Sequence, residues 1–201
     1  MKKLLLGAVI GALIAAIGLY VYQRTGSSAA PAGPVDTAGS SLTAASKGKT
    51  DAGAALRTSK MAGTILTVKN GESIQAAVSK AKPGDTIQVM PGLYKETVYI
   101  DKDNIAIIGV IDKGAWPVMD GERKLNDAIL YSGSGIRIEN MKIVHYKGNA
   151  IMGQAGNNFV IRYNWIVDTG VYGIFPEFGK NGLIEYNVVS GIEDAAIYVG
   201  M

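Results

Sequence analysis

A chain of 201 residues leaves room for one modest folded domain. With no cysteine and one histidine, His145, it has no disulfide, no thiolate metal site, no cysteine nucleophile and no metal site built from several of its own histidines. The net charge of +3 is unevenly placed: residues 1–62 hold seven Lys/Arg against two Asp/Glu, and residues 63–201 hold thirteen against fifteen. The second part is therefore mildly acidic and lacks the basic surface that nucleic-acid binding requires.

Lys2 and Lys3 precede an uncharged run from Leu4 to Tyr22, which as a helix would span roughly 28 Å, close to the hydrocarbon thickness of a bilayer. Residues 1–24 are expected to be a signal-anchor or transmembrane helix, with the lysines on the cytoplasmic side and Tyr20 and Tyr22 in the interfacial belt. The alternative is a signal peptide cut near Ser28-Ala29-Ala30, which leaves a secreted protein. Either way the remainder lies in the periplasm or outside the cell. Residues 25–62 are rich in Gly, Ala, Ser, Thr and Pro without a sustained period, the pattern of a flexible linker.

Residues 63–201 read as the folded domain. Ile74, Ala77, Val78 and Ala81 follow the i, i+3, i+4, i+7 pattern of one short amphipathic helix, ended by Lys82-Pro83-Gly84. Such a helix would cover the open end of the first coil. Short alternating runs follow at Asp85–Val89, Glu96–Ile100 and Asn104–Gly109, with a turn at Pro91-Gly92. From Ser134 the chain repeats every 23 residues: Ile138, Ile161 and Ile184 coincide, as do Ile143, Ile166 and Val189, and Ile151, Ile174 and Ile197. A repeat of that length, divided among short β-branched runs and Gly/Asn/Asp turns, predicts one coil of a solenoid of parallel strands. Asn164 and Asn187 share a register and are expected to stack. Glu139, Arg162 and Glu185 share another, alternate in sign, and are expected as an exposed charge ladder. Tyr163 over Tyr186, and Met152, Phe175 and Tyr198, form aromatic or apolar columns that serve either coil packing or sugar stacking.

These residues resemble the right-handed parallel β-helix repeat proteins of the pectate-lyase-like superfamily. The resemblance covers about residues 64–201 and rests on Ser73-Ile74-Gln75-Ala76-Ala77, Lys82-Pro83-Gly84-Asp85-Thr86-Ile87, Pro91-Gly92-Leu93-Tyr94, Asn104–Gly109 and the 23-residue copies. It implies an all-β, right-handed parallel β-helix, and only broadly a function, because that superfamily holds lyases, hydrolases, epimerases, esterases, adhesins and an accessory protein of nitrous-oxide reductase. Its members continue for further coils and a C-terminal cap, whereas this sequence stops at Val199-Gly200-Met201 partway through a coil, so a longer natural protein is expected.

The 23-residue frame places His145 and Asp168 in one register on adjacent coils, with Tyr146, Lys147, Tyr172, Glu193 and Asp194 in the same turn region. For an acidic-polysaccharide lyase, Lys147 or His145 would be the base and Asp168 with Asp194 would hold calcium. For a glycoside hydrolase, Asp168 with Glu193 or Asp194 would form the carboxylate pair. Tyr146, Tyr172, Phe175 and Phe178 would offer rings to the substrate, the last two on a turn around Pro176 that reads as a groove wall. The plainer reading of each polar residue is a turn former. The expected partner is accordingly a polysaccharide, acidic in the lyase case, or a cell-envelope protein to which a noncatalytic scaffold presents a surface.

Overall fold

The computed structural model describes residues 52–200. The expected anchor, residues 1–24, and most of the expected linker lie outside the described residues; among those described, no helix is long and apolar enough to cross a membrane. The end of the expected linker is ordered: residues Ala52–Thr58 form helix α1.

Six coils follow. The first contributes β1 (Ile65–Val68) and helix α2 (Ile74–Lys80). The second contributes β2 (Thr86–Val89), β3 (Gly92–Tyr94) and β4 (Val98–Ile100), and the third β5 (Ala106–Gly109), β6 (Pro117–Asp120) and β7 (Ile129–Tyr131). The last three hold β8 (Arg137–Glu139), β9 (Lys142–Val144) and β10 (Ile151–Gly153); β11 (Val160–Arg162), β12 (Trp165–Val167) and β13 (Tyr172–Pro176); and β14 (Leu183–Glu185), β15 (Val188–Ser190) and β16 (Ala195–Ile197). Every pairing between these strands is parallel and joins adjacent coils, giving sheet A (β1-β2-β5-β8-β11-β14), sheet B (β3-β6-β9-β12-β15) and sheet C (β4-β7-β10-β13-β16).

Strand alternation turns one column of each sheet inward. Ile87, Ile107, Ile138 and Ile161 stack in sheet A, Met119, Ile143 and Ile166 in sheet B, and Ile129, Ile151 and Ile174 in sheet C, in register and fully buried. Burying each such side chain contributes about 1.5–3 kcal/mol, so the three columns together form the core. Each strand satisfies its ladder with the coils above and below, which is why three-residue strands suffice.

Helix α2 packs on β1, β2 and β4. The Ser73 hydroxyl accepts from Ala76 N, and the Glu96 carboxylate accepts from the Ile74 and Gln75 amides and the Ser73 hydroxyl at 2.8–3.0 Å. At the other end Lys102 Nζ donates to the carbonyls of Val78, Ser79 and Ala81. A carboxylate at the positive end and an ammonium at the negative end, both from the second coil, complement the helix dipole and satisfy its orphan groups.

The asparagines stack as expected. Asn164 Oδ1 accepts from Met141 N, and Asn164 Nδ2 donates to Asn187 Oδ1 and to Ile138 O. The charge ladder departs from expectation because it is buried. Arg137 and Glu139 are 5% and 7% exposed, with Arg137 Nη2 2.9 Å from Glu139 Oε1. Arg162 reaches Glu139 at 3.0 Å and Glu185 at 3.7 Å, and Arg57 of α1 adds a fifth charge, 2.9 Å from Glu185. Arg137 also donates to Leu56 O and Ser59 Oγ. The segment Ala52–Thr58, with linker-like composition, is thus a strap on the outer face of sheet A, and the ladder is its attachment.

Candidate functional site

Sheets B and C meet at a corner where the chain reverses through a left-handed residue on consecutive coils: His145 (φ 57°), Asp168 (φ 60°) and Gly191 (φ 66°). Glycine takes that conformation freely, Asp and His with several-fold preference over most residues. The plain turn-forming role of Asp168 and His145 is therefore real, and it also aims both side chains out of the solenoid.

The structure brings His145 and Asp168 together, with His145 Nε2 3.8 Å from Asp168 Oδ2. It adds two residues that the repeat frame missed. Asp120 lies 3.0 Å from His145 Nδ1, and Arg123 forms an ion pair with Asp168. Both belong to the third coil, which is longer than 23 residues: Ile107 pairs with Ile138, 31 positions on. The extra length lies between β5 and β6, so at this corner the interval is 24, with Asp120 paired to Val144, and a frame that begins at Ser134 stops short of both residues. The imidazole sits between two carboxylates, half exposed, and can donate to or accept from a ligand hydroxyl, while the Arg123 guanidinium can meet a ligand carboxylate.

An aromatic group follows on sheet C, with Tyr172 and Phe175 in β13 and Tyr198 just after β16. Tyr172 and Tyr198 stack at 5.1 Å with planes 14° apart, and Phe175 leans on both at 4.8 and 5.2 Å. Desolvation first, then the neighbouring Asp194 carboxylate, raise the Tyr172 hydroxyl above the ordinary tyrosine value. Phe178 is exposed on the turn after β13.

The other expected residues separate. Tyr146 is a core residue, 2% exposed, its hydroxyl donating to Glu96 O at 2.7 Å, and burial pushes that hydroxyl far above its ordinary value. Its ring faces the solenoid interior because the residue after the left-handed turn points inward, so it offers no surface to a glycan. Lys147 and Glu193 are exposed, and neither has an ion-pair partner among the described residues. Asp168 is engaged by Arg123. Among the described residues no group of three or more His, Asp or Glu could hold a metal ion.

No curated protein and no solved structure matches the chain. Residues 120–201 match the family model described as "Right handed beta helix region". That match spans the fourth to sixth coils and the Asp120–Asp168 corner, and together with three sheets of parallel strands stacked coil on coil it identifies the chain as a right-handed β-helix repeat protein.

Proposed function

We propose that this is a pectate-lyase-like β-helix protein, anchored by residues 1–24 with its solenoid outside the cytoplasm, that binds polysaccharide along the corner between sheets B and C. In this reading helix α2 closes the first coil against solvent. One observation carries the proposal: the polar group Asp120, Arg123, His145 and Asp168 stands at the corner, and sheet C, which the chain enters from that corner, carries the stacked rings of Tyr172 and Tyr198. Hydroxyl-binding groups beside aromatic faces match a sugar chain, which presents hydroxyls at its edge and C–H groups on its faces. Arg123 favours an acidic glycan, because a substrate carboxylate can share the guanidinium with Asp168.

The engagement of both carboxylates supports binding ahead of catalysis. At the corner itself Asp168 is tied to the Arg123 guanidinium and Asp120 to the His145 imidazole, an arrangement that suits ligand binding.

A glycan array with the full chain, followed by absorbance at 235 nm for unsaturated uronides on any hit, tests this. Binding that Asp168→Ala weakens, with no new absorbance, is the expected result. New absorbance would make the protein a lyase, with Lys147 and His145 the first bases to replace. Failure to bind any acidic or neutral glycan would sink the proposal and leave a scaffold for a cell-envelope protein.

A further inference from the structure

The corner between sheets A and B carries a second feature. Asn140, Tyr163 and Tyr186 occupy one register on successive coils, and all three are left-handed, with φ of 58°, 59° and 54°. Asparagine tolerates this conformation; a bulky aromatic residue there is an outlier, and such strain persists where something rewards it. The core does not. The two rings lie outside it, stacked at 5.3 Å with planes 3° apart, and Tyr163 remains 43% exposed although a further coil covers it.

Opposite them lie Trp165, 37% exposed, and Trp116, edge-to-face at 5.9 Å. The Lys142 ammonium sits 3.9 Å from the Trp165 ring centroid. Between the tyrosines and tryptophans runs a groove of about 580 Å³. The Asn140 amide, which makes no side-chain hydrogen bond among the described residues, offers both donor and acceptor to the groove, beside the tyrosine hydroxyls and indole N–H groups; the Asn164 amide is committed to the asparagine stack.

We infer that this shelf is a second, noncatalytic glycan subsite that seats a pyranose ring. The aromatic walls receive its C–H face, the Asn140 amide takes two adjacent hydroxyls, and Lys142 pairs with a carboxylate if the sugar is a uronate. A purely apolar partner would leave the amide unmet, and a purely ionic one would waste the rings. The inference goes beyond the B–C corner and stands or falls independently of it, since the residues are disjoint.

The protein has only two tryptophans, and both line this shelf, so their emission reports on it alone. Titrating the full chain with hexameric α-1,4-galacturonate and with hexameric β-1,4-glucose should shift tryptophan emission and protect it from acrylamide, with the uronate the tighter ligand. Asp168→Ala should leave that response unchanged. Tyr163→Asn installs the residue that the preceding coil already uses at this register. The variant should melt no lower than the parent and bind about tenfold more weakly, the loss expected for one aromatic contact. A Tyr163→Asn variant that binds as well as the parent, or one that melts lower without a change in affinity, would reduce the tyrosines to coil packing and overturn the inference. So would tryptophan emission that is unmoved by either sugar, or that moves only with protein concentration and so assigns the groove to a second copy of the chain.

Discussion

Arg57 Nε lies 2.9 Å from Glu185 Oε2, joining residues 128 positions apart in sequence. The segment ahead of the first coil is thereby tied to the sixth, and the tie ends a run of alternating charges through Arg162, Glu139 and Arg137.

The burial of that run sets its energetics. Glu139→Gln leaves Arg137 and Arg162 facing each other without the charge between them, and is expected to destabilise by about 3 kcal/mol in urea denaturation. Arg57→Ala removes a half-exposed end of the ladder and should cost under about 1 kcal/mol, but should raise hydrogen exchange in Ala52–Thr58. Equal costs for the two variants would contradict the buried-ladder description.

The Asn164 side chain makes three hydrogen bonds within the asparagine stack. Asn164→Ala strands the Met141 N–H and the Ile138 carbonyl, and should cost about 2 kcal/mol, with exchange at Met141 rising. Asn187→Ala, in the outermost coil described, should cost clearly less.

Tyr131 is fully buried and its hydroxyl has no hydrogen-bond partner among the described residues; burial makes that hydroxyl a much weaker acid than an ordinary tyrosine. Tyr131→Phe removes an unsatisfied group while keeping the ring against Phe159. Thermal melting should be unchanged or rise, by an amount equivalent to about 1 kcal/mol. A marked loss would mean that the hydroxyl does have a partner.

Asp85 accepts from the Lys82 and Thr64 amides at 2.8 and 2.7 Å, and those hydrogen bonds hold its carboxyl below the ordinary value. A depressed folded value stabilises fully above the unfolded value and is lost as pH falls through the folded one. The melting temperature should therefore drop below about pH 4. Asp85→Asn should show a lower plateau at neutral pH and a shallower acid slope; an unchanged slope would remove Asp85 from the acid transition.

The fold was legible where the coils keep one length. From Ser134 onward a constant interval of 23 names every inward column and the asparagine stack, because stacking forces equal positions into contact. It breaks on sheet A in the third coil, where the interval is 31, while at β6 it is 24; Asp120, Arg123 and Trp116 escaped because they precede Ser134, where the repeat begins. The strap was illegible for another reason. Ala52–Thr58 has the small-residue composition of a linker, and its partners Arg137 and Glu185 are distant in sequence, so no local pattern marks it. The ladder's register was readable and its burial was not, since burial depends on that same strap. At the B–C corner, pairing His145 with Asp168 followed from register alone, whereas the inward turn of Tyr146 needed the backbone geometry of the residue before it.

Titration calorimetry of the best array glycan against the wild-type chain, Asp168→Ala and Tyr172→Ala, repeated in EDTA, tests polysaccharide binding at the B–C corner most directly. Each substitution should weaken binding about tenfold or more with melting nearly unchanged, and EDTA should have no effect. Affinity unmoved by either substitution would contradict the assignment of that corner, and loss of binding in EDTA would require a metal site that the described residues do not form.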